Sequence, residues 1–188
     1  MSGARGYAEP ALRMSREEYH AWGATRRGRF ERINGIVVAM VPERVAHNRA
    51  KGNRREVMRA AIRKAAVPCE AFTDGLSVPV GDGDYESDCI VRCGEAPLPG
   101  DALAATDPLI VVEVLSPTTA RYDRAIKLTE YFRLQSVRHY LIVWPDEPRV
   151  VLHRRDEGGD IETVTTTQGE LVLSPPGITI RVEDIYLP

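Results

Sequence analysis

Residues 109–115 read LIVVEVL, six branched or leucine side chains around one carboxylate, Glu113. A continuous apolar run of this length, bounded by turn signals, marks a strand buried on both faces. Alternation puts Val111 and Leu115 on the face of Glu113, and Val112 and Val114 on the other. The plainer reading of Glu113 is a sheet edge where the carboxylate reaches solvent, but apolar neighbours on both sides speak against it. An ionised carboxylate inside such a strand must be paired or must hold a metal, because leaving it alone costs several kcal/mol. Glu113 is therefore a site candidate, and the fold has to bring it partners.

The segments around it suggest how. A helix is predicted over roughly 119–135 and a second buried strand, HYLIVW, over 139–144. A strand, a helix and a strand in that order fit a right-handed crossover between two parallel strands. Upstream, SREEYHAW opens with Ser15 and has Glu18 three residues on, a capping box that starts a short helix. RFERINGIVVAMVP (29–42) reads as a hairpin turned by Asn34-Gly35. Residues 44–66 read as a long helix with a thin stripe of Ala50, Val57, Ala61 and Ala65, ended by Pro68. Short strands follow over 71–80 and 87–93, separated by a predicted turn, GDGDYE. GEAPLPGDALAATDP reads as loop. After residue 144 come RVVLHRR, IETVTT, ELVLS and GITIRVEDIY, a series of short strands. The pattern predicts an α/β fold, a mixed central sheet flanked by helices with additional short β-strands at the C-terminus.

Composition narrows the class. A length of 188 residues with 43% hydrophobic and 28% charged residues suits one soluble domain over 1–188. No apolar run approaches the ~20 residues of a membrane span, and the first twenty residues hold no apolar signal core. A cytoplasmic protein without membrane contact is expected. The cysteines are Cys69, Cys89 and Cys93, with no CxxC pair. Cys89 and Cys93 are ~13 Å apart along a strand, too far for a disulfide, and buried thiols are expected. The net charge of −2 hides an asymmetry: residues 1–64 carry 15 Lys/Arg against 6 Asp/Glu, and the remainder is strongly acidic. The basic third either faces a polyanion or is merely solvated.

Two further groups suit the neighbourhood of Glu113. Asp88 opens the strand DCIVRC, so sheet pairing can set it beside Glu113; otherwise it is a turn residue with a local hydrogen bond. Two carboxylates a few ångströms apart form half of a Mg²⁺ shell, completed by water and substrate phosphate. Lys127 lies ~12–16 Å along the following helix, a travel that a fold-back over the sheet roughly cancels. It then either reaches Glu113 or makes a surface ion pair with Asp123, one turn away.

The stretch VVEVLSPTTARYDRAIKLTEYFRLQSVRHYLIVWPDEPRVVLHRR (111–155) closely resembles the Uma-two family of restriction-endonuclease-like proteins, also called DUF820, of the PD-(D/E)xK nuclease superfamily. The hallmark is EVLSPST, then D-x-x-x-K, then Y, then a strand and turn like "eYwlvdp". Here these are Glu113 to Thr119, Asp123, Lys127, Tyr131 and HYLIVWPD. RFERINGIVVAMVP with the later His47 and the ending PPGITIRVEDIY also resemble the family, so the likeness spans roughly 15–186. It implies Asp88 as first acid, Glu113 as second, and Lys127 as a catalytic lysine moved onto the helix, since Leu115 stands in the usual place. It also implies Glu31 and His47 as accessory groups beside Asp123; His47 alone reads as a hydrogen bonder at a helix N-terminus. Ser87 stands where the family has proline, which would shape backbone rather than perform chemistry.

What the resemblance implies is a Mg²⁺- or Mn²⁺-dependent endonuclease acting on DNA. Asp88, Glu113 and the Val114 carbonyl would hold the metal, and Lys127 would act at the phosphate. Arg49, Lys51, Arg54, Arg55 and Arg59 on the long helix would follow the DNA backbone. A homodimer would suit double-strand cutting. The alternative is a non-catalytic nucleic-acid-binding or assembly module that keeps the fold. A carboxylate-pair glycosidase is disfavoured by 6% aromatic residues and no sugar platform.

Overall fold

A computed structural model describes residues 11–40, 45–115 and 122–187, without the side chains of 45–47, 49–50 and 122–125. At its centre is a six-stranded sheet built from β3 (Cys69–Phe72), β6 (Cys89–Cys93), β7 (Ile110–Val114), β8 (His139–Val143), β9 (Val150–Arg155) and β10 (Ile161–Thr166), ordered β10-β9-β8-β7-β6-β3. All neighbours are antiparallel except β7 and β8, which run parallel and pair Glu113 with Ile142. Helix α3 (Tyr122–Tyr131) lies between those two strands in the chain. The predicted crossover is thus present, and two antiparallel edges make the sheet mixed.

The two faces of this sheet bury different partners. Cys89, Val91, Ile110, Val112, Leu141 and Val143 point to helix α2 (Val45–Ala65), whose Met58, Ala61 and Ile62 meet them. The hairpin of β11 (Glu170–Leu173) and β12 (Ile178–Arg181) closes this side with Leu171, Leu173, Ile178 and Ile180, and Ile185 of the short 3-10 turn Glu183–Tyr186 joins them. Ile90, Val111, Tyr140 and Ile142 point the other way. They meet Tyr131 of α3 and a four-stranded sheet ordered β2-β1-β5-β4. That sheet comprises β1 (Phe30–Ile33), β2 (Ile36–Ala39), β4 (Ser77–Val80) and β5 (Gly83–Glu86). Each fully buried Val, Leu or Ile contributes roughly 1.5–3 kcal/mol, so this double burial of β7 and β8 anchors the fold.

Local sequence accounts for most elements. Ser15 caps α1 (Arg16–Gly23) and Glu18 closes the predicted capping box. Asn34 and Gly35 both take positive φ, 50° and 76°, as a tight hairpin turn between β1 and β2 requires. Ala66, also at positive φ, follows the end of α2 two residues before Pro68.

Three expectations need correction. GDYE, predicted as turn, is strand β5, and all four residues are buried. The buried stripe of α2 is Lys51, Arg54, Met58, Ala61 and Ile62, whereas Ala65 is exposed. The helix is rotated from its predicted apolar face because two cations point inward. Finally, Cys69 and Cys93 are register partners on antiparallel β3 and β6 and form a disulfide. Cys93 is remote from Cys89 along its own strand but directly across from Cys69 on the next. Only Cys89 remains a buried thiol, and burial pushes its pKa up to about 12. Among the described residues no helix is long and apolar enough to cross a membrane.

Candidate active site

Sheet register brings the two acids together. β6 and β7 pair Cys89 with Val112, so one step outward sets Asp88 opposite Glu113. Asp88 is nearly buried, and its Oδ2 accepts a 2.6 Å hydrogen bond from the Val114 backbone N–H. Asp88 is thus fixed to the strand that carries Glu113, which agrees with its predicted place. Glu113 points to the α3 side of the sheet, the face it shares with Val111 and Leu115.

Two donors from α3 meet it there. Lys127 Nζ lies 3.2 Å from Glu113 Oε1, and Tyr131 Oη donates to the same oxygen at 2.9 Å. They are four residues apart and so project from one helix face. The small sheet adds a third group: Glu31 Oε1 accepts from Lys127 Nζ at 3.0 Å and from the Glu86 backbone N–H at 3.0 Å. Lys127 therefore bridges Glu31 and Glu113, the reach that a fold-back of the helix over the sheet allows. The side chains of Asp123, His47 and Arg49 lie outside the described residues.

A second lysine closes the arrangement from the opposite face. Lys51 Nζ is 2.6 Å from Asp88 Oδ1 and 2.9 Å from Asp74 Oδ1, with its side chain only 3% exposed. Arg29 continues the chain of charges, contacting Asp74 at 3.0 Å and Glu86 at 2.8 Å. Glu86 also accepts from the Gly75 backbone N–H at 2.9 Å.

The basic face predicted for α2 is thereby divided. Lys51 serves the acids, and Arg54 is buried with its guanidinium 5.4 Å from the Tyr186 ring centroid. Neither belongs to an exposed DNA-tracking surface. Arg55 and Arg59 do reach solvent, both near Glu56.

Electrostatics follow from the crowding of acids. Burial, opposed by Lys127 and reinforced by the Asp88 and Glu31 charges, pushes the Glu113 pKa up to about 7. Burial works against the Lys127 ammonium, but Glu113 and Glu31 overcome it and hold its pKa well above the ordinary lysine value. Tyr131 is held protonated, first by burial and then by Glu113. It stays a donor at neutral pH.

This donor set suits a hard divalent cation in part. Among the described residues no three His, Cys, Asp or Glu side chains are gathered into a ligand cluster. What is present is a carboxylate pair, Asp88 and Glu113, set opposite each other by the register of β6 and β7. Both offer the hard oxygen donors such a cation takes. Mg²⁺ commonly takes one or two carboxylates and completes its shell with water and phosphate, so the pair fits.

Sequence reasoning found Glu31, Asp88, Glu113 and Lys127 but missed the roles of Tyr131 and Lys51. The i,i+4 spacing of Lys127 and Tyr131 could have revealed the first. The second was obscured by treating the cations of α2 as a solvent face.

Residues 16–183 match the model of the Uma2 family, whose description is "Putative restriction endonuclease". "Uncharacterized protein slr1290" of Synechocystis sp. is 25% identical over 194 residues, covering 97% of this chain and 96% of that protein. The crystal structure of a "putative nuclease belonging to DUF820" from Anabaena variabilis superposes with a TM-score of 0.71 at 16% identity, covering 92% of this chain and 97% of the other. The fold is therefore shared with that protein.

Proposed function

Since the chain belongs to the Uma2 family, we propose that it is a divalent-cation-dependent endonuclease that hydrolyses phosphodiester bonds in DNA. The observation that carries this reading is the Lys127 ammonium held against Glu113 and Glu31, with Asp88 register-opposite Glu113.

Asp88 and Glu113, with the Val114 carbonyl, would hold Mg²⁺ or Mn²⁺. Such an ion, when bound, supplies Lewis-acid polarisation of the scissile phosphate and lowers the pKa of the attacking water. The protein's own groups do the rest. The Val114 N–H fixes the Asp88 carboxylate. Tyr131 fixes Glu113, so that its orientation does not have to be found during reaction. Lys127 keeps its proton, orients water at the phosphate and offsets the negative charge that grows there. Glu31 keeps Lys127 from withdrawing to solvent. Arg55 and Arg59, with Arg49, provide phosphate contacts beyond the site that carry no sequence information.

The test is plasmid cleavage with Mn²⁺ or Mg²⁺. Lys127→Ala is expected to keep the fold and the cation but to slow cleavage by about 10²–10³-fold or more. Equal nicking by both proteins would remove Lys127 from the reaction. Arg55→Ala with Arg59→Ala is expected to weaken DNA binding at all sequences and flatten its salt dependence.

A second reading has one observation in its favour: Lys51 and Lys127 each pair with one of the two acids. In it the chain is a nucleic-acid-binding or assembly module that keeps the nuclease fold. Cation binding without cleavage of any DNA form would favour it. A homodimer and a cytoplasmic setting belong to the nuclease proposal.

A further inference from the structure

Lys51 contacts Asp88 directly, yet the proposed reaction gives it no step. It is a buried cation on the inward face of α2, three residues before Arg54 and seven before Met58, so the packing of that helix fixes where it can reach. Its ammonium sits 2.6 Å from Asp88 Oδ1, on a carboxylate whose other oxygen is taken by the Val114 N–H. It also sits 2.9 Å from Asp74 Oδ1. Asp74 is held in turn by Arg29.

We infer that Lys51 is an internal competitor for the divalent cation and sets the affinity of the site. In the structure it occupies Asp88 Oδ1 and keeps the buried acid paired. When a cation binds, Lys51 gives up that oxygen and stays on Asp74, so its charge never has to reach water. An ammonium is suited to such an exchange because it is a compact point charge on a flexible stem, unlike the geometrically committed fork of arginine. The cost of displacing it is subtracted from cation affinity, so the site would load only where the divalent ion is abundant or a substrate phosphate helps to hold it. This inference rests on the proposed function, in that Asp88 is taken as a cation ligand.

The experiment is calorimetric titration of the full chain with Mn²⁺ alone, without DNA. The proteins compared are wild type, Lys51→Met, Asp74→Asn, the double variant, and Asp88→Asn. Lys51→Met is expected to bind Mn²⁺ about tenfold tighter or more, because an adjacent positive charge and a competitor are both removed. Asp74→Asn is expected to weaken Mn²⁺ binding in the wild type, where it strands the lysine on Asp88, and to have little effect in the Lys51→Met background. Lys51→Gln, which keeps polarity without the charge, should behave like Lys51→Met if the latter folds poorly. A gain in melting temperature on adding Mn²⁺ should be larger in both Lys51 variants than in the wild type.

Unchanged or weaker Mn²⁺ affinity in a folded Lys51 variant, while the wild type binds Mn²⁺ and Asp88→Asn does not, would overturn this inference and leave the nuclease reading standing. An equal Asp74→Asn effect in both backgrounds would also overturn it. No Mn²⁺ binding in any of the proteins would overturn both.

Discussion

Two clusters of buried charge leave the same strand in opposite directions. On β1, Glu31 faces Lys127, while its neighbour Arg32 faces Asp84. The second cluster is built from arginine. Arg32 Nε donates to Asp84 Oδ2 at 2.7 Å and Arg32 Nη1 to Asp82 Oδ1 at 2.6 Å. Arg16 of α1 takes the other oxygen of Asp84 at 2.7 Å, and its Nη2 donates to the carbonyls of Gly81 and Gly83. Each acceptor oxygen of Asp84 has its own planar donor, and the pairs tie α1 and β1 to β5. The site cluster sets two lysines among its acids, shares single oxygens between two donors, and buries one carboxyl so that its pKa rises to about 7. Fixed forks make a joint, whereas mobile point charges around crowded acids make a site that can exchange cations and protons.

The comparison is broken most readily at Asp84. Asp84→Ala leaves Arg32 buried beside a missing acid, and a loss of about 3–5 kcal/mol is expected in urea unfolding. Mn²⁺ affinity in the protein that remains folded should be unchanged. A loss below about 1 kcal/mol would mean that the arginine cluster is not the joint described.

A smaller effect tests the crowded acids. Glu113 in the folded chain titrates at about 7, above its ordinary value of 4.5. Between those pH values the folded chain holds a proton that the unfolded chain has released. The stability contributed by this group is therefore fully present below pH 4.5 and lost as pH rises through 7, on the order of 1–3 kcal/mol. Metal-free urea melts at pH 5 and pH 7.5 should show that fall in the wild type and a shallower one in Glu113→Gln. Identical slopes would show that Glu113 is not the group responsible.

The smallest effect concerns the helix donor. Tyr131→Phe removes one hydrogen bond to the Glu113 carboxyl, and about 1–2 kcal/mol of stability should go with it. Because that bond favours the ionised form, the carboxyl resonance of Glu113 should titrate at higher pH in the variant than in the wild type. A midpoint that stays in place would mean that Lys127 alone orients the acid.

Which parts of this were legible in the sequence follows from the range of the information. The crossover around β7 and β8 was readable because long branched-apolar runs are buried on both faces whatever their neighbours. Glu113 was readable as the polar exception inside such a run. β5 was not, because GDYE carries turn-forming residues, and its burial depends on Arg32 and Arg16, each more than fifty positions away. Lys51 was misplaced for a related reason: apolar periodicity finds the buried face of a helix only when that face is apolar, and here the acids Asp88 and Asp74 draw a lysine inward. Cys69 and Cys93 were left unpaired because strand register, not spacing along one strand, brings them together.

The central claim is that Asp88 and Glu113 share a divalent cation beside Lys127. An anomalous-difference map from crystals grown with Mn²⁺ tests it most directly. The account predicts one strong peak bonded to oxygens of both carboxylates, with Lys51 moved from Asp88 toward Asp74 and Lys127 still at Glu31. An absent peak, with both lysines still seated on the acids, would contradict it.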